Sequence, residues 1–348
     1  MKGIGLVFAG GGGKGAYQIG VWKYLHQNGL TPYIHAVSGT SVGALNAALF
    51  ASGDFLRAEH LWLQISPEQI LSPKKITAED VADYLCKAAL VAGMGGSSLG
   101  ALSVTAAKAA LGKLRGDGIF SRDGLIQLIS QGVNFSAIQN SAIPCYATCF
   151  ALGLDAGVRR FDLRRYSAEE GQALLLASSA LPLIFDPVEF QGTLYSDGGI
   201  FFIGDNIPVQ PVYEMGVEYI LVVHLSRDEP VDRTRYPGAK ILEIIPQTDL
   251  GGLVDGTLDF TAAGARWRIE QGWRDTERIF GPFIKQATLL HRGELLLRAY
   301  QKSEEMYQLQ VAELQRQKKE IKSLSENDGF NAMCRDLGIE TKIGEEKS

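Results

Sequence analysis

Residues 34–49, which read IHAVSGTSVGALNAAL, hold the most informative local pattern in the chain. A short apolar run, Ile34 to Val37, precedes Gly39-Thr-Ser-Val-Gly43, and a strong helix-forming stretch follows at once. Small residues on both sides of a serine permit the strained strand-to-helix turn that exposes a nucleophilic hydroxyl. Ser41 would then stand at a helix N-terminus, where free amides favour developing negative charge. The alternative for Ser41 is an N-cap serine in a glycine-bounded turn.

The chain before this segment predicts a strand-helix-strand unit. Ile4 to Phe8 is a short apolar run, and Ala16 to Gln27 suits a helix. So short a crossover implies two neighbouring parallel strands, joined with a right-handed connection. The loops after Phe8 and after Val37 then lie side by side at the carboxyl ends of the strands, where open α/β sheets bind their ligands.

A glycine-rich loop follows the first strand, and we call it the glycine loop: Gly10, Gly11, Gly12, Gly13, Lys14 and Gly15. Consecutive glycines leave several amides free to point at an anion. A dinucleotide site would need an acidic residue some twenty positions on, but Asp54 is the first in the chain. A phosphate-binding P-loop would need Ser or Thr after Lys14 and a glycine at Phe8. We therefore interpret the loop as an oxyanion hole beside Ser41.

A serine nucleophile requires a base, and the chain offers five histidines and one well-placed aspartate. A hydrolase triad would use His224 or His291, but the first lies in an apolar strand-like run and the second in a charged helical pattern. Asp197 precedes Gly198 and Gly199 in a tight turn, so it is a carboxylate candidate that needs no mediating imidazole. A simple Asp-Gly hairpin turn is the competing interpretation.

The composition excludes one broad class of partner. The 348 residues carry 34 Lys and Arg against 39 Asp and Glu, a net charge of −5, so we expect no nucleic acid partner. The four cysteines form no Cys-x-x-Cys pair, which predicts free thiols in a reducing, cytoplasmic compartment. The N-terminus lacks a cleavable signal pattern, although export by a signal-independent route would leave the same sequence.

Residues 70–116 are rich in Ala and Gly, and we predict a helical insertion there. Within it, residues 88–107 contain no charged side chain over about the length of a bilayer span. Small residues gain little from transfer into hydrocarbon, so we expect a lipid-facing cap in preference to a transmembrane helix. We interpret the insertion as a candidate lid over an apolar entrance, with a plain helical cap as the alternative.

Strand-like runs return between residues 143 and 245, so the predicted sheet spans most of the chain and argues for one domain over residues 1–285. Residues 286–348 then form a helical C-terminal extension, in which charges interleave with apolar residues. Its simplest interpretation is packing against the domain, and the alternative is a helix that binds a protein partner or a second copy of the chain. We expect a frayed tail after Ser325.

Five motifs together are similar to those of the patatin-like phospholipases, in order and in spacing. They are Gly10–Ala16, Gly39–Gly43, Ala177–Pro182, Asp197–Gly199 and Asn206–Pro208. The resemblance covers roughly residues 3–275 and implies a three-layer α/β/α fold with a mostly parallel central sheet. Lys14 departs from the family pattern, in which an arginine is common, and a bidentate contact would be lost with it.

The resemblance also implies a function, that of a calcium-independent lipid acyl hydrolase with no cofactor. In a Ser-Asp dyad, Ser41 would form the acyl-enzyme and Asp197 would take and return the proton, while Gly10, Gly11 and Gly12 stabilise the oxyanion. Membrane phospholipid or lysophospholipid would be the substrate, reached by a cytoplasmic enzyme at the membrane periphery. The alternative function is a lipid-binding or partner-regulated module whose catalysis is vestigial.

Overall fold

Eight strands form one mixed sheet in the computed structural model, which describes residues 3–71, 120–182, 184–199, 203–325 and 328–338. The strands are β1 (Ile4–Phe8), β2 (Ile34–Thr40), β3 (Cys145–Ala151), β4 (Gly157–Asp162), β5 (Val188–Phe190), β6 (Thr193–Asp197), β7 (Tyr219–Val223) and β8 (Lys240–Ile244). Their order is β5-β6-β3-β2-β1-β7-β8, and β4 also pairs with β3. The pairs from β3 through β2, β1 and β7 to β8 are parallel, whereas β4, β5 and β6 pair antiparallel.

Helices cover both faces of this sheet. The α-helices of the described residues are α1 (Ala16–Gln27), α2 (Val42–Ala51), α3 (Phe55–Gln64), α4 (Pro67–Ile70), α5 (Asp123–Gly132), α6 (Phe135–Gln139), α7 (Ala168–Ser178), α8 (Val209–Glu214), α9 (Ala262–Ser325) and α10 (Asp328–Asp336). Alternate residues of β1 point to opposite faces: Leu6 and Phe8 join the large core under α1 and α2, and Val7 joins a smaller core under α8. The predicted α/β class, with a mostly parallel sheet between helices, is confirmed.

One edge of β3 is shared by two strands that approach from opposite directions. Along β3, β4 covers residues 146–151 on one side, so β2 and β6 must both lie on the other. There Thr40, the last residue of β2, pairs with Thr148, and Asp197, the last residue of β6, pairs with Cys149. The carboxyl ends of β2 and β6 therefore meet at adjacent positions.

The predicted insertion at residues 70–116 lies almost entirely outside the described residues, and its interpretation as a lid stays a prediction. At its start, Ile70 ends α4 and is buried in the large core. Within the described ranges, no helix has both the length and the apolar character that crossing a membrane requires.

The chain divides into two compact units between Gly281 and Pro282, and the proposed domain boundary at residue 285 lies near that point. In the first unit, α9 buries Ala265 and Ile269 against the core. In the second unit, the same helix continues to Ser325 with most side chains exposed, and a further helix, α10, covers residues where we expected a frayed tail. The predicted helical C-terminal extension is confirmed.

A buried arginine of α9 holds the segment that packs on the glycine loop. The Arg268 guanidinium is 2% exposed and pairs with the Asp259 carboxylate at 2.9 Å. It also donates to the carbonyl oxygens of Leu250 and Asp255. Residues 256–259 lie directly against Gly12 and Gly13 of the loop. Arg268 thus fixes this wall of the site from behind.

We expect Arg268→Leu to lower the free energy of unfolding by about 3 kcal/mol, because the Asp259 carboxylate and the carbonyl oxygens of Leu250 and Asp255 lose their partner. The matched control is Arg274→Leu on the same helix, whose ion pair with Glu270 is exposed and should contribute less than about 0.5 kcal/mol. Urea denaturation followed by circular dichroism measures both changes. Equal stability of the two variants would contradict the role given to Arg268.

Candidate active site

Ser41 occupies a strained turn between β2 and α2. Its φ of 56° and ψ of −127° are unusual for a residue with a side chain. The turn requires both flanking glycines: a Cβ at Gly39 would lie 2.0 Å from the Gly43 carbonyl oxygen, and one at Gly43 would lie 2.3 Å from the Phe8 carbonyl oxygen. The backbone has the conformation predicted for a nucleophile elbow.

A second serine fixes the backbone of this turn. The Ser41 N–H donates to Ser178 Oγ at 2.9 Å, and the Ser178 hydroxyl in turn donates to the Thr148 carbonyl oxygen at 2.7 Å. Beside it, the Thr40 hydroxyl donates to the Asp205 carbonyl oxygen at 2.7 Å. Ser178 lies in the Ala177–Pro182 motif that contributes to the family resemblance. The position of this motif in the sequence does not by itself indicate what Ser178 does. The structure shows it to be a positioning residue for the elbow.

Asp197 is buried at the end of β6, on the edge of β3 that β2 also uses. The carboxylate Oδ1 accepts from the Gly199 N–H at 2.8 Å. Among the described residues, no group makes a hydrogen bond of ordinary geometry with Oδ2, which is fully buried. Burial raises the pKa of Asp197 to about 6, and the Ser41 side chain and the Gly199 amide partly oppose this rise. Ser41 and Asp197 thus lie in the wall of one site.

The glycine loop lies beside Ser41, as its predicted position after β1 requires. A Cβ at Gly10 would come within 3.3 Å of Ser41 Cβ, so the two backbones are in close contact. The Gly10 N–H already donates to the Asn206 carbonyl oxygen at 3.1 Å. In the described part of the chain, the amides of Gly11 and Gly12 make no hydrogen bond, and both residues line the same cavity as Ser41. These two amides are therefore the donors open to an anion.

The remaining motif residues serve close packing around the site. Gly13 lies against the Asp259 backbone, Gly15 against Val42 and Trp62, Gly198 against the Thr148 carbonyl oxygen, and Gly199 against Asn206. Lys14 lines the cavity, and burial lowers its pKa while Asp249 and Asp255 oppose that effect. Lys14 thus contributes a basic side chain to the wall of the cavity.

A cavity of about 580 Å³ contains Ser41, Asp197 and the glycine loop in its wall. Much of the rest of its lining is apolar and comes from α2, α3, α4, α5 and the loop after α7: Val42, Leu45, Trp62, Ile65, Ile70, Leu125, Leu128, Leu181, Ile184 and Phe185. An apolar cavity with a few convergent polar groups is typical of sites for ligands with a hydrocarbon portion.

The two histidines of the alternative triad occupy other surroundings. His224 is buried after β7, where its Nε2 lies 3.0 Å from Glu243 Oε2, and burial lowers its pKa. It does not line the cavity. His291 lies on an exposed stretch of α9 in the second unit. Of the three candidate bases, Asp197 is the one that lines the same cavity as Ser41.

Sequence comparison finds relatives of this chain among known lipid-hydrolase proteins. Patatin-like phospholipase domain-containing protein 7 of Mus musculus is 25% identical over 238 residues, which are 68% of this chain and 14% of that protein. Lysophospholipase nte1 of Aspergillus terreus is 46% identical over 50 residues, 14% of this chain and 3% of that protein. The chain therefore spans only a small part of these relatives.

Solved structures show only distant likeness. VipD from Legionella pneumophila has a TM-score of 0.47 at 14% identity, covering 81% of this chain and 67% of that one. Human GIVD cytosolic phospholipase A2 has a TM-score of 0.44 at 12% identity, covering 82% and 59%. The sequence model of the family described as Patatin-like phospholipase matches residues 6–213, more than half of the chain. Because that match covers more than half of the chain, the chain belongs to the patatin-like phospholipase family.

Proposed function

We propose that this chain is a lipid acyl hydrolase, a serine esterase that cleaves acyl esters of phospholipids or lysophospholipids. The observation that carries the proposal is that Ser41, in its strained turn, and the buried carboxyl group of Asp197 both line the wall of one largely apolar cavity. Because the substrate is a membrane lipid, we expect the enzyme to work at the membrane periphery.

Acylation begins with attack of Ser41 Oγ on the ester carbonyl carbon, while its proton passes to Asp197. The carbonyl oxygen gains the negative charge, and the amides of Gly11 and Gly12 donate to it. The tetrahedral intermediate then collapses, and Asp197 returns the proton to the leaving alcohol. Water attacks the acyl-enzyme by the same steps, releases the fatty acid and restores both side chains.

Burial of Asp197 makes this two-residue arrangement chemically workable. An aspartate with its ordinary pKa of about 3.9 is a weak base toward a serine hydroxyl. The rise to about 6 strengthens the base and leaves it ionised at neutral pH. Oxyanion donors of this kind contribute about 3 to 4 kcal/mol each to the stability of the transition state. Esters, which need less leaving-group protonation than amides, are the better substrates for such a site.

We expect Ser41→Ala and Asp197→Asn each to lower kcat for phospholipid hydrolysis by about a thousandfold or more. The first removes the nucleophile, and the second removes the base with little change in shape. Release of fatty acid from mixed vesicles, identified by mass spectrometry, measures the effect. Ser130→Ala and Asp232→Asn are matched controls, since both side chains are exposed and lie outside the cavity.

Full activity of either site variant would refute the dyad. Labelling of Ser41 by a fluorophosphonate separates the two functional hypotheses, because a vestigial lipid-binding module would bind vesicles without reacting. Labelling that is lost in Ser41→Ala supports the hydrolase.

The pH dependence of kcat/KM follows from the pKa of Asp197. Below that pKa, the carboxyl group is protonated and accepts no proton from Ser41. We therefore expect kcat/KM to be constant above about pH 6 and to fall about tenfold per pH unit below it. Initial rates with a soluble short-chain ester between about pH 4 and pH 8 measure this fall in kcat/KM. If kcat/KM instead stays constant down to about pH 4, the Asp197 carboxylate is solvated during turnover.

A further inference from the structure

The helix of the second unit carries an exposed apolar stripe, which we call the 297–321 stripe. Its apolar members are Leu297, Tyr300, Tyr307, Val311, Leu314 and Ile321, and only together with the charged positions 304 and 318 do they follow one another at alternating spacings of three and four residues. Tyr300 is 67% exposed and Leu314 is 64% exposed. Single exposed apolar side chains are common on protein surfaces, but a stripe that keeps one register over seven turns predicts a partner.

The spacing indicates what kind of surface covers the stripe. A repeat of 3.5 residues stays on one side of a helix only when the helix supercoils around another helix. Between Tyr300 and Lys318, the positions that flank the stripe carry no charge: Gln301, Ser303, Gln308, Gln310, Gln315 and Gln317. Helices that lie on membranes instead have a polar face dominated by Lys and Arg beside a broad apolar face, whereas the polar face here also carries Glu305, Glu313 and Glu320. The pattern favours a helical partner over a lipid surface.

Two charges complete the repeat and set the orientation of that partner. Glu304 and Lys318 occupy stripe positions one heptad before and one heptad after Val311. In a parallel, in-register pair of identical helices, each charge would face its own copy, which is unfavourable inside a coiled-coil seam. In an antiparallel pair, Glu304 of one copy comes within about one helical turn of Lys318 of the other, twice by symmetry.

We propose that residues 297–321 form an antiparallel two-stranded coiled coil with the same helix of a second copy of this chain. The apolar stripe supplies the contact area, and the opposite charges at positions 304 and 318 select the antiparallel arrangement. The proposal concerns assembly and does not depend on the proposed hydrolase activity.

Sedimentation equilibrium of the full chain tests the interface. We expect wild type to be a dimer at about 10 µM and Leu314→Asp to raise the dissociation constant at least about a hundredfold. Leu309→Asp is the matched control, because Leu309 is also 64% exposed but lies off the stripe, and its dissociation constant should stay within about threefold of wild type. A monomeric wild type at about 50 µM, or equal effects of the two variants, would overturn the proposal.

Charge exchange tests the orientation. Glu304→Lys and Lys318→Glu should each raise the dissociation constant about tenfold, and the double variant should return to within about threefold of wild type. A parallel dimer predicts no loss of affinity in either single variant, because wild type and all three variants would place like charges opposite each other. If wild type stays monomeric while Leu314→Asp abolishes binding to phosphatidylcholine vesicles, the stripe serves a membrane and the proposal fails.

Discussion

The shared edge of β3 is the constraint on which the site depends. Because β4 occupies one edge of β3, β2 and β6 have to use the other, and they meet there end to end. That meeting brings the residue after β2 and the last residue of β6 together although they lie 156 positions apart in the sequence. The separation between Ser41 and Asp197 is therefore set by backbone hydrogen bonds of the sheet. It does not depend on a long flexible side chain.

The polar groups around this meeting point are held by short links to rigid elements. Ser178, at the end of α7, ties the Ser41 amide to β3, and Asn206 holds the Gly10 amide through its carbonyl oxygen. Arg268 holds the segment behind the glycine loop from α9. A backbone fixed in this way keeps the neighbouring open amides of Gly11 and Gly12 in place, so they need little reorganisation when a bound ligand develops charge.

Local patterns in the sequence predicted the part of the site that is local in the fold. The strand-helix-strand unit from Ile4 to Thr40, the elbow at Ser41 and the glycine loop follow from apolar periodicity and glycine placement, and the structure has β1, α1 and β2 where these patterns put them. The sequence also predicts the C-terminal helix, but the predicted start at residue 286 is too late, because the helix begins at Ala262. These features are encoded within about fifteen residues each.

Features that depend on distant pairing were beyond sequence reasoning. Nothing near Asp197 reveals that β6 runs antiparallel on the β2 side of β3. The engagement of the Gly10 amide by Asn206, which leaves Gly11 and Gly12 as the open donors, also depends on a contact across the fold. The roles of Ser178 and Arg268 are of the same kind, because their partners lie in other elements.

The burial of Asp197 has a consequence for the conformational stability of the whole first unit. Its pKa is about 6 in the folded chain and about 3.9 when unfolded, so at neutral pH the ionised carboxylate opposes folding by about 3 kcal/mol. This penalty shrinks as the pH falls through 6 and disappears below about 4, where both states hold the proton. The protein thus sacrifices thermodynamic stability to keep an ionised carboxylate out of water, and protonation of Asp197 in a mildly acidic medium would remove this penalty.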